Sequence, residues 1–466
     1  MTVLLAAMLV VGTLTIFEAA PAPAQDDPAF DQYRLDIPLD SAATDSGGDT
    51  AASEPPASGQ DAADDPSAAS AFGSALTTPL GIAVALALAA LGVVVVLARR
   101  RTTGMPGGTT AFTLAIVVAA LGLVACGGED GADDADAAGF FGVQPRSNPE
   151  ADDFARMAEA GVETYRVFIS WVDVQRSEGA GYDWSRTDPV MIRLAFNDIE
   201  PLVYFAGVPT WLSEDRRDSP VATERSRDAV GRFMAAAAER YGPGSDFWRD
   251  LESSDLMLEP EPVRVWQIWN EQNSAFAWRP KASVREYATL LRIGAGAIRA
   301  VDPDARIMTG GMFGTPPAEG SIRAWRYARG LLSDPEVRDL VDVVGIHPYS
   351  PTIDGVRFQV EAMREAMEES GAADLPIWVT EIGWGSSDRG GLMVGLDGQA
   401  RMLTEAFELF ERNRDSWKLE GVVWFSWRDD RTLPGRNVFD GSSGLLTDGG
   451  ERKPAFDSYA ALAGGS

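Results

Sequence analysis

From residue 139 onward, short apolar runs alternate with longer segments in which apolar residues recur every three or four positions. The first pattern predicts β-strands, and the second predicts amphipathic helices that cover a sheet. We predict eight strands, at residues 140–144, 164–169, 200–205, 264–269, 306–310, 341–346, 376–380 and 421–426. Helices are predicted between them at residues 152–160, 225–240, 284–300 and 399–410. Such alternation is typical of a parallel sheet in the α/β class.

Eight parallel strands favour closure into a (β/α)8 TIM barrel, because a closed sheet has no edge to protect. A doubly wound open sheet is the alternative, but no glycine-rich phosphate loop follows the first strand. We therefore predict one barrel domain over residues 139–466. In such barrels the chemistry lies at the carboxyl ends of the strands, so polar and aromatic residues there are the first functional candidates.

The first 138 residues follow a different pattern. An apolar run at 3–17 precedes Ala22-Pro23-Ala24, the small-x-small pattern of a signal peptidase site, so residues 1–24 resemble a signal peptide. No Lys or Arg precedes the run, which is unusual for such a signal. Residues 25–79 contain eleven acidic residues against the single Arg34, together with few large apolar residues. Since this composition cannot bury enough surface to fold, we predict a disordered acidic linker.

Two further apolar runs are rival membrane anchors. Residues 80–98 form a 19-residue apolar run followed by three arginines, which predicts a transmembrane helix with its basic end inside; a buried helix of a soluble domain is the alternative. Residues 99–126 add a basic segment and a shorter run ending in the letters LVAC, which resembles a bacterial lipobox and implies lipidation of Cys126. Otherwise Cys126 is a small buried residue. With a tether at 127–138, either anchor predicts the extracytoplasmic face of a bacterial plasma membrane.

Charge and rare residues exclude several functions. The formal net charge of -29 argues against nucleic acid as a partner, because phosphate binding depends on clustered Lys and Arg. The chain has one cysteine and one histidine, which excludes a Cys/His zinc site and any disulfide within the chain. A serine hydrolase would have only His347 as its base, and no G-x-S-x-G turn is present.

A glutamate ends the fourth predicted strand, and another ends the seventh. Glu271 follows Trp269-Asn270, and Glu381 follows Thr380. Strands four and seven of a closed barrel lie across the mouth from each other. Two carboxylates that face each other over a cleft fit glycoside hydrolysis, where one protonates the leaving oxygen and the other attacks the anomeric carbon or activates water. An isolated glutamate at a strand end could be a helix cap or a surface charge, but matched positions favour a paired role.

These two motifs resemble those of clan A retaining glycoside hydrolases, in particular family 39 and the cellulase-like group around family 5. The resemblance covers residues 139–466. It implies a retaining O-glycosidase that acts on a β-linked poly- or oligosaccharide through a covalent glycosyl-enzyme. It also implies that Glu271 is the acid/base and Glu381 the nucleophile, with carboxyl groups about 5–5.5 Å apart. Such a pair needs no metal or organic cofactor, and we expect a monomer.

The same resemblance assigns supporting roles at other strand ends. It implies that Arg166 hydrogen-bonds the nucleophile, that Asn270 binds the sugar 2-hydroxyl, and that His347 faces the sugar. Tyr349 is expected near the nucleophile, and Trp171 opens the loop after strand two, nearest the site. The alternatives are a structural ion pair for Arg166 and a structural histidine at 347.

Aromatic residues supply further candidates for sugar binding. Trp211, after strand three, could stack on an additional sugar. Related enzymes use a tryptophan after strand eight as the floor of the subsite for the cleaved sugar, which favours Trp427 and leaves Trp424 as the alternate. Their spacing places these two on opposite faces of a regular strand. Core packing is the alternative for all of them, and we prefer it for Trp266 and Trp378.

Two other functions stay open at this point. One is a carbohydrate-binding or envelope polysaccharide assembly protein built on an inactive barrel. The other is a transglycosylase that uses the same glutamates and differs only in its acceptor. Sugar, linkage and the choice between internal and terminal cleavage depend on loops that the pattern does not define.

Overall fold

The computed structural model describes residues 139–146, 149–254, 258–430, 439 and 441–465 of the chain. Over these residues the chain forms a closed barrel of eight parallel strands in sequence order, with β8 pairing back to β1. This confirms the predicted (β/α)8 fold and excludes the open sheet. The strands are β1 Phe141–Gln144, β2 Thr164–Ser170, β3 Glu200–Ala206, β4 Val265–Asn270, β5 Arg306–Phe313, β6 Val344–His347, β7 Ile377–Ile382 and β8 Leu419–Phe425.

Helices follow the strands and cover the outside of the barrel. The four predicted helices are present with ends shifted by at most three residues. Within the described residues the helices are α1 Ala151–Glu159, α2 Trp171–Val174, α3 Asp188–Phe196, α4 Glu224–Tyr241, α5 Asp246–Glu252, α6 Val284–Arg299, α7 Ala324–Leu332, α8 Pro335–Arg338, α9 Ile353–Glu369, α10 Leu396–Arg412, α11 Arg414–Trp417 and α12 Pro454–Leu462.

Polar side chains define where the long helices begin. The hydroxyl of Thr223 accepts a hydrogen bond from the backbone N–H of Ser226 at the start of α4. Ser283 and Thr352 cap α6 and α9 in the same way. Because the first backbone N–H groups of a helix have no partner within it, these side chains define helix starts at the carboxyl-end face of the barrel.

Strand ends differ from the prediction where the site is built. Strand β5 continues to Phe313, three residues beyond the predicted end, and β7 continues through Glu381 to Ile382. Strand β6 is shorter than predicted and begins at Val344 rather than at residue 341. Asn270 pairs with Gly311 of β5, and Glu381 lies within β7, so strands rather than loops carry both residues.

Apolar side chains form two layers of core. The larger layer lies between the barrel and its helices, where Trp266 stacks on Phe205 at 5.9 Å. In a smaller cluster, Trp378 of β7 packs with apolar side chains of β3, β4 and β5 and with Val343, which precedes β6. Both Trp266 and Trp378 are buried, which confirms core packing for this pair.

No helix in the described part of the chain combines the length and the apolar character needed to cross a membrane. The predicted segments 1–24, 25–79, 80–98, 99–126 and 127–138 lie outside the described residues, and so does Cys126.

Candidate active site

Glu271 lies at a turn directly after β4, where the backbone takes an uncommon conformation. Trp269 and Glu271 have φ angles of 74° and 48°, in the left-handed region that non-glycine residues rarely adopt. The N–H of Glu271 donates to the carbonyl oxygen of Gly311 on β5 at 3.0 Å. The hydroxyl of Tyr287 donates to the carbonyl oxygen of Ile268 at 2.8 Å. Neighbouring elements therefore hold this turn and fix the direction of the Glu271 side chain.

Arg166 on β2 and Glu381 on β7 form a buried ion pair across the barrel. The Nη1 of Arg166 lies 2.5 Å from Oε1 of Glu381, and both side chains are nearly inaccessible to solvent. The guanidinium also lies over the ring of Tyr204, 3.9 Å from the ring centroid. Because a buried charge without a partner is costly, each of these two charges stabilises the other. The predicted contact between Arg166 and Glu381 is therefore present in the structure.

Opposing influences act on the carboxyl group of Glu381. Burial raises its pKa, whereas the guanidinium of Arg166 and hydrogen bonds from Tyr349 and Gln144 act in the opposite direction. The hydroxyl of Tyr349 donates to Oε2 of Glu381 at 3.1 Å. Burial has the largest effect, so the pKa of Glu381 is raised overall, and the three polar neighbours limit this rise in favour of the ionised form.

His347 connects the two glutamates. Its Nδ1 lies 3.1 Å from Oε1 of Glu271 and 3.6 Å from Oε2 of Glu381. Burial, with a smaller contribution from the charge of Arg166, lowers the pKa of His347 well below its usual value, so the imidazole is neutral near pH 7. Its Nε2 has no partner among the described residues, so a proton on Nδ1 is the better-satisfied tautomer. In that tautomer Nδ1 donates toward the glutamates.

Two carboxylates and one imidazole thus converge on a small volume. One carboxylate oxygen of Glu271, one of Glu381 and a ring nitrogen of His347 all lie within 4.8 Å of one another. These atoms are of the types that ligate metals, but Glu381 is already bound to a cation, Arg166. The arrangement better suits a reaction in which one carboxylate carries a proton and the other carries a charge.

Asn270 presents a donor next to this pair. Its Oδ1 accepts a hydrogen bond from Nη2 of Arg166 at 2.7 Å, which orients the amide. Its Nδ2 is buried and has no partner among the described residues. A buried donor without a partner is costly, so a ligand that accepts from Nδ2 would relieve the cost.

The tryptophans after β2 and β3 lie close to each other, with ring centroids 6.3 Å apart. Trp171 is fully buried and stacks on Phe233 of the covering helix α4 at 5.4 Å. Its predicted place beside the substrate stays a prediction. Trp211 is partly buried, and its Nε1 donates to the carbonyl oxygen of Gln175 at 2.9 Å. Its predicted stacking on a further sugar stays a prediction.

The tryptophans at the end of β8 also face outward. Trp424 is fully buried near Phe407 of α10, and Trp427 is fully buried against Phe456 of α12. Trp427 lines a cavity of about 200 Å³ whose lining includes neither glutamate. Strand β8 ends at Phe425, so Trp424 is its penultimate residue and Trp427 lies beyond it. The expectation that one of these rings forms the sugar floor stays a prediction.

An aromatic pair that was not predicted from the sequence contacts a partner of Glu381. Phe425 stacks on Phe439 at 6.0 Å, and Phe439 contacts the ring of Tyr349 edge-on at 5.6 Å. Tyr349 in turn bonds Glu381. Strand alternation is the signal that could have indicated Phe425, since it lies on the face opposite to Trp424.

Solved structures of glycoside hydrolases share this fold. A family 39 glycoside hydrolase from the gut symbiont Bacteroides cellulosilyticus WH2 matches with 22% identity and a TM-score of 0.51, over 69% of this chain and 63% of the other. A monomeric beta-xylosidase from Caulobacter crescentus CB15 matches with 21% identity and a TM-score of 0.50, over 71% and 70%. A GH5_18 protein from Bifidobacterium longum subsp. infantis matches with 16% identity and a TM-score of 0.52, over 70% and 79%.

These neighbours belong to the group that the sequence motifs resemble, families 39 and 5. The chain spans less than two thirds of the length of the first of them. No protein-family model and no curated protein matches the chain. At these identities the likeness establishes the barrel fold, and the chemistry has to be argued from the residues themselves.

Proposed function

We propose that residues 139–466 form a retaining O-glycosidase that acts on a β-linked oligo- or polysaccharide. The distance of at most 4.8 Å between carboxylate oxygens of Glu271 and Glu381 is the observation that carries this proposal. Retaining glycosidases hold their two carboxyl groups about 5–5.5 Å apart, whereas inverting enzymes need roughly 6.5–9.5 Å to admit a water molecule. The short separation therefore fits a retaining enzyme, in which one carboxylate attacks the sugar directly.

The surroundings of each glutamate support its role. Glu381, paired with Arg166, is the carboxylate better held in its charged form, so it is the nucleophile. Glu271 is hydrogen-bonded to neutral His347, so it can carry the proton that the leaving group needs. Asn270 offers its unpartnered Nδ2 to a sugar hydroxyl.

The reaction then follows two displacements. The carboxylate of Glu381 forms a bond to the anomeric carbon while the bond to the leaving oxygen breaks, and Glu271 gives its proton to that oxygen. In the second step Glu271 takes a proton from water, and the water oxygen attacks the anomeric carbon and displaces Glu381. The product keeps the anomeric configuration, and Glu271 regains its proton.

A panel of dinitrophenyl and nitrophenyl β-glycosides tests this proposal. We expect Glu381→Gln to lose turnover of all of them, because the nucleophile is absent. Glu271→Gln should retain far more activity on the dinitrophenyl leaving group, which needs no protonation, than on the nitrophenyl group. Proton NMR of the first product should show the β-anomer. The α-anomer as first product, or no wild-type turnover of any glycoside despite sugar binding, would contradict the proposal.

We propose in addition that this domain is attached to the outer face of a bacterial plasma membrane. The support is the sequence pattern alone, namely the apolar run at 80–98 and the lipobox-like letters before Cys126. Fractionation of cells that express the full chain, followed by protease treatment of intact spheroplasts, tests the location. Protection of the domain from protease would contradict it.

A further inference from the structure

The guanidinium of Arg166 is bound by four side chains, of which only one carries a charge. Its Nε donates to Oε1 of Gln267 at 2.8 Å, its Nη2 donates to Oδ1 of Asn270 at 2.7 Å, and its Nη1 donates to Oε1 of both Gln144 and Glu381. Among the described residues, Glu381 is the one carboxylate within 4.0 Å of a guanidinium nitrogen. The other three acceptors are neutral amides.

The amide of Gln267 has a defined orientation. Its Nε2 donates to the carbonyl oxygen of Thr309 at 3.1 Å and lies 3.3 Å from the hydroxyl oxygen of Thr380. A carbonyl oxygen can only accept, so the amide nitrogen must face Thr309 and the amide oxygen must face Arg166. A carboxylate at position 267 would place an oxygen against the carbonyl oxygen of Thr309, where neither atom can donate a hydrogen bond. It would also place a second negative charge beside the guanidinium of Arg166.

Gln144 has a similar position on β1. Its Oε1 accepts from Arg166, and its Nε2 lies 3.2 Å from the hydroxyl of Tyr204. Both glutamines are buried, so water does not screen a charge placed at either position.

We propose that Gln267 and Gln144 are positioning residues whose neutrality reserves the charge of Arg166 for Glu381. They hold the guanidinium in place through hydrogen bonds and leave its positive charge to one carboxylate. This inference rests on the proposed function in one respect, the role of Glu381 as the nucleophile.

The other titratable groups near Glu381 do not supply a competing cation. His347 on β6 is neutral, and Tyr349 after β6 donates its hydroxyl. Glu271 after β4 faces His347, and Tyr204 on β3 lies beneath the guanidinium. Among the described residues that contact Glu381, Arg166 is thus the source of positive charge, and a second carboxylate beside it would act directly on Glu381.

The test is the acidic limb of the pH profile of kcat/KM, measured with Gln267→Glu on a dinitrophenyl glycoside. We expect this limb to move to higher pH by about one unit or more, because a second carboxylate shares the guanidinium and repels the charge of Glu381. Gln267→Met removes the hydrogen bonds without adding charge, and it should lower kcat/KM at every pH while the limb stays in place.

A matched control places a carboxylate in an equally buried glutamine that does not touch Arg166. Gln399 on α10 donates to the carbonyl oxygens of Trp384, Ser442 and Gly444. We expect Gln399→Glu to lower stability and to leave the acidic limb unchanged. If Gln267→Glu does not fold, Gln144→Glu adds the charge from the other side of the guanidinium, and the same shift is expected.

A second measurement is independent of turnover. Carbon-13 NMR of labelled glutamate carboxyls, with the Glu381 signal assigned from Glu381→Gln, reports the pKa of Glu381 directly. We expect a higher pKa in Gln267→Glu than in the wild type. If the pKa of Glu381 is raised in Gln267→Glu but the wild type turns over no glycoside, the result would support this inference and contradict the proposed function. A folded Gln267→Glu with the wild-type limb and the wild-type pKa of Glu381, or an equal shift in Gln267→Met, would overturn the inference.

Discussion

Replacing Arg166 by methionine tests the central electrostatic feature of the site. The substitution keeps a long side chain but removes the cation beside Glu381 and the donors to three amide oxygens. Breaking a buried ion pair by removing one partner costs about 3–5 kcal/mol, because the remaining charge is left in a poorly solvated place. We expect a loss of stability of this size at neutral pH.

The loss should depend on pH in a defined direction. Burial raises the pKa of Glu381, and in the variant the opposing influence of Arg166 is gone, so the folded-state pKa rises further above the unfolded value of about 4.3. The folded variant therefore binds a proton that the unfolded chain has released. The stability that this proton contributes is fully present below about pH 4.3. It is lost as pH rises through the folded-state pKa of Glu381, by at most about 1.4 kcal/mol per pH unit.

Urea unfolding of Arg166→Met and wild type at pH 5 and pH 8 measures this effect. The difference in free energy of unfolding between the two proteins should be larger at pH 8. Turnover at pH 7 should fall by about 10² or more, as expected for a loss of roughly 3 kcal/mol of transition-state stabilisation. Arg329→Met, which removes a half-exposed pair with Glu369, should change stability by less than about 1 kcal/mol at either pH. An Arg166→Met difference that is equal at pH 5 and pH 8 would refute the argument.

Three other changes have expected outcomes. Tyr349→Phe removes the 3.1 Å hydrogen bond to Glu381, so kcat should fall by about 10-fold or more with little change in thermal stability, and an unchanged kcat would contradict the role of the hydroxyl. Gly311→Ala places a methyl group 2.0 Å from a ring nitrogen of His347, so activity and melting temperature should both fall. As a control, the methyl group of Gly296→Ala on α6 meets no atom within 4 Å, so this variant should be neutral or stabilising. Equal effects of the two substitutions would count against this steric argument. Cys126→Ser should abolish labelling by fatty acid, whereas retention of the label would exclude lipidation at this position.

The barrel and the positions of the two glutamates followed from the sequence because the repeat of strands and helices determines which residues reach the carboxyl-end face. The predicted positions of Arg166 and Tyr349 beside Glu381 are present in the structure, and Asn270 accepts a hydrogen bond from Arg166. Arg166 lies within β2, and Tyr349 lies two residues after the end of β6. Their roles were implied by the resemblance to clan A glycoside hydrolases, because periodicity alone does not distinguish them from structural residues.

The tryptophans were harder to place. Alternation separates neighbouring residues onto two faces of a strand, but it does not say which face is inside the barrel. Trp424 faces α10, so the inner face carries Phe425 instead. Trp427 lies beyond the end of β8, where alternation no longer applies. Trp171 looked like a cleft residue because it follows β2, yet it packs under α4.

The sequence carries a signal for Gln267. It is a polar residue in the middle of an apolar strand, and a buried amide needs partners on both its oxygen and its nitrogen. The partners themselves, Arg166 and Thr309, come from other strands and depend on register, which the pattern does not determine.

The bonds of Arg166 join side chains from β1, β4 and β7 to one residue of β2, which has a consequence for how the site tolerates change. Substitutions at Gln144, Gln267, Asn270 and Glu381 all act on the same guanidinium, so their effects on stability and turnover should not add. A second substitution in this set should cost less than the first once Arg166 has lost its position. Engineering of this barrel toward another sugar should therefore keep Arg166 and its four partners unchanged and vary the residues of the surrounding loops.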